Sequence, residues 1–180
     1  MLQWIILLLL SINSYADDLG IRFNSAIPGN DSALLQFPPG GQPNGKMISA
    51  FYDWNFHPNF YLEGTLGYRS WDDVFEYSSM AYELSPGAKV SWGPLVMKLS
   101  EGLSYMPENS YDSVTKQGYQ QLDFVTHLTI GLQDPKTHIG IYLDRAHYSN
   151  GYSENNPSLN YTGFMISFPL GSPKSYDIRY

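Results

Sequence analysis

Residues 122 to 132, LDFVTHLTIGL, set the pattern that decides the fold. In an extended chain, Leu122, Phe124, Leu128, Ile130 and Leu132 fall on one side, and Asp123, His127, Thr129 and Gly131 fall on the other. Successive side chains of a strand point to opposite faces, so this period of two predicts a strand with one apolar and one polar face. The same alternation recurs at residues 60–68 and 138–149.

Turn-forming residues divide the chain into eight segments of this kind. Strands are predicted at residues 19–37 (interrupted at IPGND), 46–56, 59–69, 79–92, 95–106, 119–132, 136–149 and 158–170. Tight turns are predicted at HPN (57–59), GP (93–94) and DPK (134–136), and the connections between them are longer. Short turns at one end, long loops at the other and an even strand count predict an all-β fold, an eight-stranded antiparallel transmembrane β-barrel of the bacterial outer membrane. Closure pairs all backbone groups, as a bilayer requires.

The composition fits a surface that faces lipid. Charged residues make up 15% of the 180 residues against a usual ~25%, whereas aromatics reach 16% with 15 tyrosines. A soluble lipocalin-type barrel also alternates, but it would turn its large apolar residues inward and a well-charged face outward. Here the face opposite the apolar one is rich in Gly, Ser, Thr and Tyr, and few charges are expected on it. The membrane barrel is therefore the favoured interpretation.

Other counts narrow the function classes. The net charge of −7 argues against nucleic acid, whose phosphates a binding protein neutralises with Lys and Arg. There is no cysteine, so stability has to come from packing and hydrogen bonds rather than disulfides.

The chain begins with an apolar run from Trp4 to Ile12, followed by Ser14, Tyr15 and Ala16. This pattern predicts a secretory signal peptide at residues 1–16, because the run is shorter than the roughly 20 residues that a spanning helix needs. The barrel is then expected at residues 17–170, followed by a C-terminal tail at 171–180.

The outward row of the seventh strand becomes polar at its end, where it reads Arg145, His147 and Ser149. Residues two apart share a face with Cα atoms about 7 Å apart, so an imidazole base could meet a hydroxyl nucleophile. Stepping back along the outward row of the last strand from Thr162 reaches Asn160, which is expected beside them. Ordinary hydrogen bonding at the lipid head groups is the other interpretation, because strand ends are normally polar.

The string His147-Tyr148-Ser149-Asn150, a short loop with Asn and Pro, and a last strand ending Phe168-Pro169-Leu170 resemble the end of the PagL-type lipid A deacylases. These are small outer-membrane barrels that remove an ester-linked acyl chain from lipid A. The resemblance implies that His147 is the base, that Ser149 is the nucleophile and that Asn150 helps to bind the oxyanion. Gly151 has the backbone freedom to aim an amide at the same oxyanion.

One position departs from the family. The third catalytic residue of the PagL-type family is a glutamate on the last strand. In this sequence the corresponding residue is Asn160. A carboxylate fixes the histidine tautomer and stabilises the imidazolium, whereas an amide oxygen does only the first. Glu154, in the preceding loop, is a candidate substitute. The resemblance implies a serine esterase acting on the 3-O acyl chain of lipid A, and the alternative is a catalytically degenerate or purely structural or adhesive barrel.

The remaining expectations concern ligands. Arg145 is a candidate partner for a lipid A phosphate, or else an anchor whose charge reaches up to the head groups. No metal or cofactor is expected, because His57 lies in a turn, His127 faces the lumen and His138 begins a strand. The expected partners are lipid A within lipopolysaccharide and the lipid of the outer membrane. A homodimer is left open.

Overall fold

The computed structural model describes residues 17–26, 45–72, 76–107, 121–150 and 159–170. Its strands are β1 (Asp17–Ala26), β2 (Gly45–His57), β3 (Phe60–Asp72), β4 (Glu76–Trp92), β5 (Leu95–Met106), β6 (Gln121–Gln133), β7 (Gly140–Asn150) and β8 (Leu159–Leu170). Each strand pairs antiparallel with its neighbours in the chain, and β1 pairs with β8 to close the barrel. Within these described ranges, no helix is long and apolar enough to cross a membrane.

The predicted fold class is confirmed, and each predicted strand overlaps one of the eight observed ones. The signal peptide predicted at 1–16, the extension of the first strand over 27–37 and the tail predicted at 171–180 lie outside the described residues.

The tight turns lie at one end of the barrel, which we call the turn end; the opposite end is the loop end. Residues 58–59 and 93–94 form two of the turns, as predicted, and Gly93 adopts a φ of 60° that glycine tolerates without strain. The third turn is longer than predicted, because residues 134–139 precede β7. The Asp134 carboxylate accepts hydrogen bonds from the amides of Lys136 (3.3 Å) and Thr137 (3.1 Å). The predicted strand start at residue 136 was therefore wrong.

The ladder register fixes how the strands tilt. One row of paired residues runs around the barrel through Leu95, Leu132, Ile141, Ile166, Ile21, Ala50, Leu66, Tyr82 and Tyr105. The row starts on β5 at Leu95 and returns to β5 at Tyr105, ten residues further along the same strand. Such an offset means that the strands are tilted from the barrel axis, typically by about 35–45°. Strand residues that face each other in a row are therefore close in space but differ in depth along the axis.

The two faces of the wall have opposite character. Large apolar side chains cover the outside, where Ile141 is 63% exposed and Leu143 72% exposed. The inward positions of the same strand are buried and include Tyr142 and Asp144. An apolar outside and a polar inside are what a barrel in a bilayer requires, and they fit the predicted outer-membrane location.

The interior holds far more charge than the sequence interpretation expected. Arg22 pairs with Glu63 at 3.0 Å and with Asp144 at 3.2 Å, and Lys98 pairs with Asp53 at 2.7 Å. The expectation of few charges on the inner face was wrong because the low overall charge of the chain is concentrated there. Buried charges are stable only when they are paired and hydrogen-bonded, and these pairs link strands that are distant in sequence.

Candidate active site

The candidate site lies on the outer wall at the loop end of β7 and β8. In β7 the side chains of Ala146 and Tyr148 are buried inside the barrel, so His147 between them faces outward. The register places His147 directly opposite Asn160, the second residue of β8. The predicted proximity of these two residues is observed.

A hydrogen bond joins the two side chains. Nδ1 of His147 lies 3.0 Å from Oδ1 of Asn160, and both residues are half-buried. When Nδ1 carries the imidazole proton, it donates that proton to the amide oxygen, and Nε2 is then the unprotonated nitrogen. This is the tautomer that a general base needs.

Ser149 and Asn150 end β7. Their backbones continue the ladder with β6, where Ser149 pairs with Phe124 and Asn150 with Asp123. Phe124 faces outward and is 50% exposed, and Asp123 is buried. By register, the backbone of Ser149 lies two residues from His147 towards the loop end. Gly151 and Glu154 lie outside the described residues.

Arg145 is exposed and lies one outward position from His147 towards the turn end. It belongs to a polar row that runs across four strands through Arg145, Thr162, Ser25 and Lys46. The next outward row towards the turn end is apolar and runs through Leu143, Phe164, Phe23 and Ile48. The candidate site thus lies where the apolar wall gives way to polar residues, which is the level expected for lipid head groups.

The interior contacts of β7 were missed at the sequence level. Tyr148, between His147 and Ser149, donates a hydrogen bond to Glu83 at 2.9 Å, and the Arg69 guanidinium lies 3.9 Å from its ring centroid. His127 faces the lumen, as predicted, and lies between two carboxylates, with Nε2 3.3 Å from Glu83 and Nδ1 3.4 Å from Asp144. The available signal was the inward parity of these charged residues, each of which falls on the polar side of its strand.

No protein-family model and no curated protein matches the sequence. Several solved structures share its fold at low sequence identity. The outer-membrane enzyme PagL matches with a TM-score of 0.52 and 14% identity, covering 85% of this chain and 99% of that chain. The outer-membrane protein OprG from Pseudomonas aeruginosa matches with a TM-score of 0.54 and 10% identity, covering 87% of this chain and 98% of that chain. Ail, the attachment invasion locus protein of Yersinia pestis, matches with a TM-score of 0.53 and 8% identity, covering 86% of this chain and 98% of that chain.

These similarities are similarities of fold. They confirm a closed eight-stranded barrel of the type found in bacterial outer-membrane proteins. The same fold serves an enzyme and an attachment invasion protein, so any activity has to be argued from the side chains of the outer wall.

Proposed function

We propose that the protein is an outer-membrane serine esterase that hydrolyses the 3-O ester-linked acyl chain of lipid A. The observation that carries this proposal is the 3.0 Å hydrogen bond between His147 and Asn160 on the outer wall. A histidine whose Nδ1 is held by an acceptor presents Nε2 as a base. Its position at the polar edge of the apolar wall suits an ester that lies at the head-group level of a lipid.

The proposed reaction has two halves. Ser149 Oγ attacks the ester carbonyl carbon while His147 Nε2 takes the hydroxyl proton. The tetrahedral intermediate then collapses, the bond from carbon to the sugar oxygen breaks, and that oxygen takes the proton from His147. Water attacks the acyl-enzyme in the same way, which frees the fatty acid and restores Ser149. The resemblance gives Asn150 and the backbone near Gly151 the role of binding the oxyanion.

The surroundings of the site support a lipid substrate. An outward groove of about 460 Å³ lies on the β8, β1 and β2 side of the site. Its lining includes Phe23, Ile48, Tyr68, Thr162 and Phe164, with Lys46 at the loop end. The aromatic and aliphatic side chains suit an acyl chain, and Lys46 together with the exposed Arg145 suits the phosphates of lipid A.

The test is hydrolysis of purified lipid A of known acylation by the protein folded in detergent. We expect mass spectrometry to show loss of one 3-hydroxyacyl chain with wild type and no loss with Ser149→Ala. Ser91→Ala is the matched control, because Ser91 is an exposed serine near the turn end of β4 and does not line the groove. Equal product from wild type and Ser149→Ala, or no product from folded wild type, would refute the esterase.

A non-catalytic structural or adhesive barrel is the second candidate, and Asn160 is the observation that favours it. A neutral amide does not stabilise an imidazolium as a carboxylate does. Under this alternative, His147 and Asn160 form only an interfacial hydrogen bond, and folded wild type binds lipid A without releasing fatty acid.

A further inference from the structure

A carboxylate stands in the middle of the lipid-facing wall. Among the strand residues whose side chains the structure describes, four Asp, Glu, Lys or Arg side chains lie on outward rows: Asp17, Lys46, Glu101 and Arg145. Asp17 begins β1 and Lys46 is the second residue of β2, so both lie at strand ends. Glu101 lies mid-strand in β5 between Leu99 and Leu103, which are 54% and 44% exposed. A charge at such a position is costly in lipid and needs a compensating interaction.

The register places Glu101 in the same row as the candidate site. Glu101 pairs with Thr126 on β6, Thr126 pairs with His147 on β7, and His147 pairs with Asn160 on β8. All four residues alternate with chain neighbours that are buried on the inner face, among them Ser100, Val125, Tyr148 and Tyr161, and so face outward. One continuous polar row therefore crosses four adjacent strands, with a carboxylate at one end and the amide at the other.

Glu101 is close enough to act on the charge of His147. Adjacent strands lie about 4.8 Å apart, so the Cα atoms of Glu101 and His147 are separated by roughly 10 Å, with Thr126 between them in the row. Arg145, two residues from His147 on the same outward face and about 7 Å away between Cα atoms, opposes a positive imidazole. Charges interact more strongly at a lipid boundary than in water, so the carboxylate can offset this cation.

We propose that Glu101 supplies the negative charge that Asn160 lacks. The two tasks of a single catalytic carboxylate are then divided between two strands. Asn160 fixes the tautomer of His147 from β8, and Glu101 stabilises the imidazolium across Thr126 from β5. Glu101 acts through His147 and is a positioning residue rather than a catalytic one. The effect on turnover rests on the proposed esterase function, whereas the effect on the charge of His147 does not.

The first test does not depend on turnover. The histidine resonances of the folded protein in detergent micelles are recorded by NMR at one fixed pH, and the His147 ring signals are assigned by their loss in His147→Gln. We expect Glu101→Gln to move the His147 ring signals, because it removes the charge in the row of His147. Asp17→Asn, which removes an outward acid at the turn end, is expected to leave these signals in place. Unchanged His147 signals in Glu101→Gln, or equal changes in both variants, overturn the proposal.

The second test uses lipid A hydrolysis. We expect Glu101→Gln to lower kcat about 10-fold with little change in KM, and Glu101→Asp to recover part of the loss. Introducing Asn160→Glu into the Glu101→Gln protein should restore the rate, because a charge then lies directly beside His147. Wild-type rates in Glu101→Gln, or failure of Asn160→Glu to rescue it, count against Glu101 while leaving the esterase intact. An inactive wild type refutes the esterase, and the NMR comparison at fixed pH still decides whether Glu101 acts on His147.

Discussion

Tyr148 donates a hydrogen bond to Glu83 at 2.9 Å inside the barrel, whereas its chain neighbour His147 bonds Asn160 at 3.0 Å on the outer wall. One strand therefore takes part in two separate side-chain networks. The inner network joins β7 to β4 across the lumen, and the outer one joins β7 to β8 within the wall. Substitutions in the inner network should consequently change the stability of the barrel, and substitutions in the outer network should change turnover.

Removing the Tyr148 hydroxyl should weaken the barrel while sparing its outer wall. A hydrogen bond to a charged group contributes about 1.5–3 kcal/mol, and Glu83 keeps other partners, so we expect Tyr148→Phe to lower the unfolding free energy by roughly 1–2 kcal/mol. Urea unfolding measured by tryptophan fluorescence checks this value. Tyr105→Phe, at an exposed tyrosine of β5, is the control and should unfold like wild type. A Tyr148→Phe protein of unchanged stability contradicts the assignment.

Loss of the Glu83 carboxylate should be more damaging. Arg69 and His127 both lie within 3.4 Å of it, and Ser104 donates to it at 3.2 Å. Removing one partner from a buried charge pair typically costs about 3–5 kcal/mol, so Glu83→Ala should unfold at clearly lower temperature in a heat-dependent gel-shift assay. Glu83→Gln keeps the shape and some hydrogen bonds and should lose less. If Glu83→Ala unfolds at the wild-type temperature, the network is not a source of stability.

Substitutions at Asn160 should change turnover in opposite directions. Asn160→Leu removes the acceptor for Nδ1 of His147, and we expect kcat to fall at least about 10-fold with near-normal folding. Asn160→Glu adds a carboxylate that holds the same tautomer and also stabilises the imidazolium, so we expect kcat to rise. Release of 3-hydroxy fatty acid from lipid A measures both. Equal rates in wild type and Asn160→Leu would show that the hydrogen bond does not orient a base.

Closure of the barrel at β1 and β8 should be sensitive to Gly163. A Cβ added there would lie 1.8 Å from the carbonyl oxygen of Phe23, which is backbone and cannot swing aside. We expect Gly163→Ala to impair folding into micelles, measured as the fraction that migrates as folded barrel. At Gly64 on β3 the same addition meets nothing within 4 Å, so Gly64→Ala is the matched control. Equal folding yields of the two variants would contradict close packing at this seam.

The turn before β7 should respond to acid. Hydrogen bonds from the Thr137 side chain and from the amides of Lys136 and Thr137 to the carboxylate hold the pKa of Asp134 below its ordinary value of 3.8. A depressed pKa means that the stabilisation is present above the ordinary value and is lost as pH falls through the folded-state value. We expect the protection factors of the turn amides, which correct for the intrinsic exchange rate, to fall below about pH 4, and to be lower at all pH values in Asp134→Asn. If neither acid nor Asp134→Asn alters the protection of these amides, the Asp134 carboxylate does not stabilise the turn.

The fold was predictable because a strand with one face towards lipid must alternate apolar outward residues with inward ones. Leu122, Phe124 and Leu128 had to face one way, and short turns such as Gly93-Pro94 had to separate the strands. The end of the third turn was missed because the side-chain hydrogen bonds of Asp134 replace strand pairing over residues that alternation alone assigns to β7.

The candidate site was only partly predictable. Parity along two neighbouring strands was enough to place Asn160 beside His147. Glu101 was missed because its relation to His147 depends on the register of two ladders and on the shear of the closed barrel. Nothing in the local sequence around either residue carries that information. The interior pairs were missed for the same reason, since Arg22 and Glu63 are 41 positions apart in the chain.

The alternation of β7 lets its two faces evolve independently. The inner face is linked to distant strands by hydrogen bonds and ion pairs, so changes there lower the stability of the folded protein. The outer face contacts lipid and the two neighbouring strands, so one substitution there can create or abolish chemistry while the barrel still assembles. Selection can therefore create or remove a catalytic site on such a wall through residues that contribute little to the stability of the barrel.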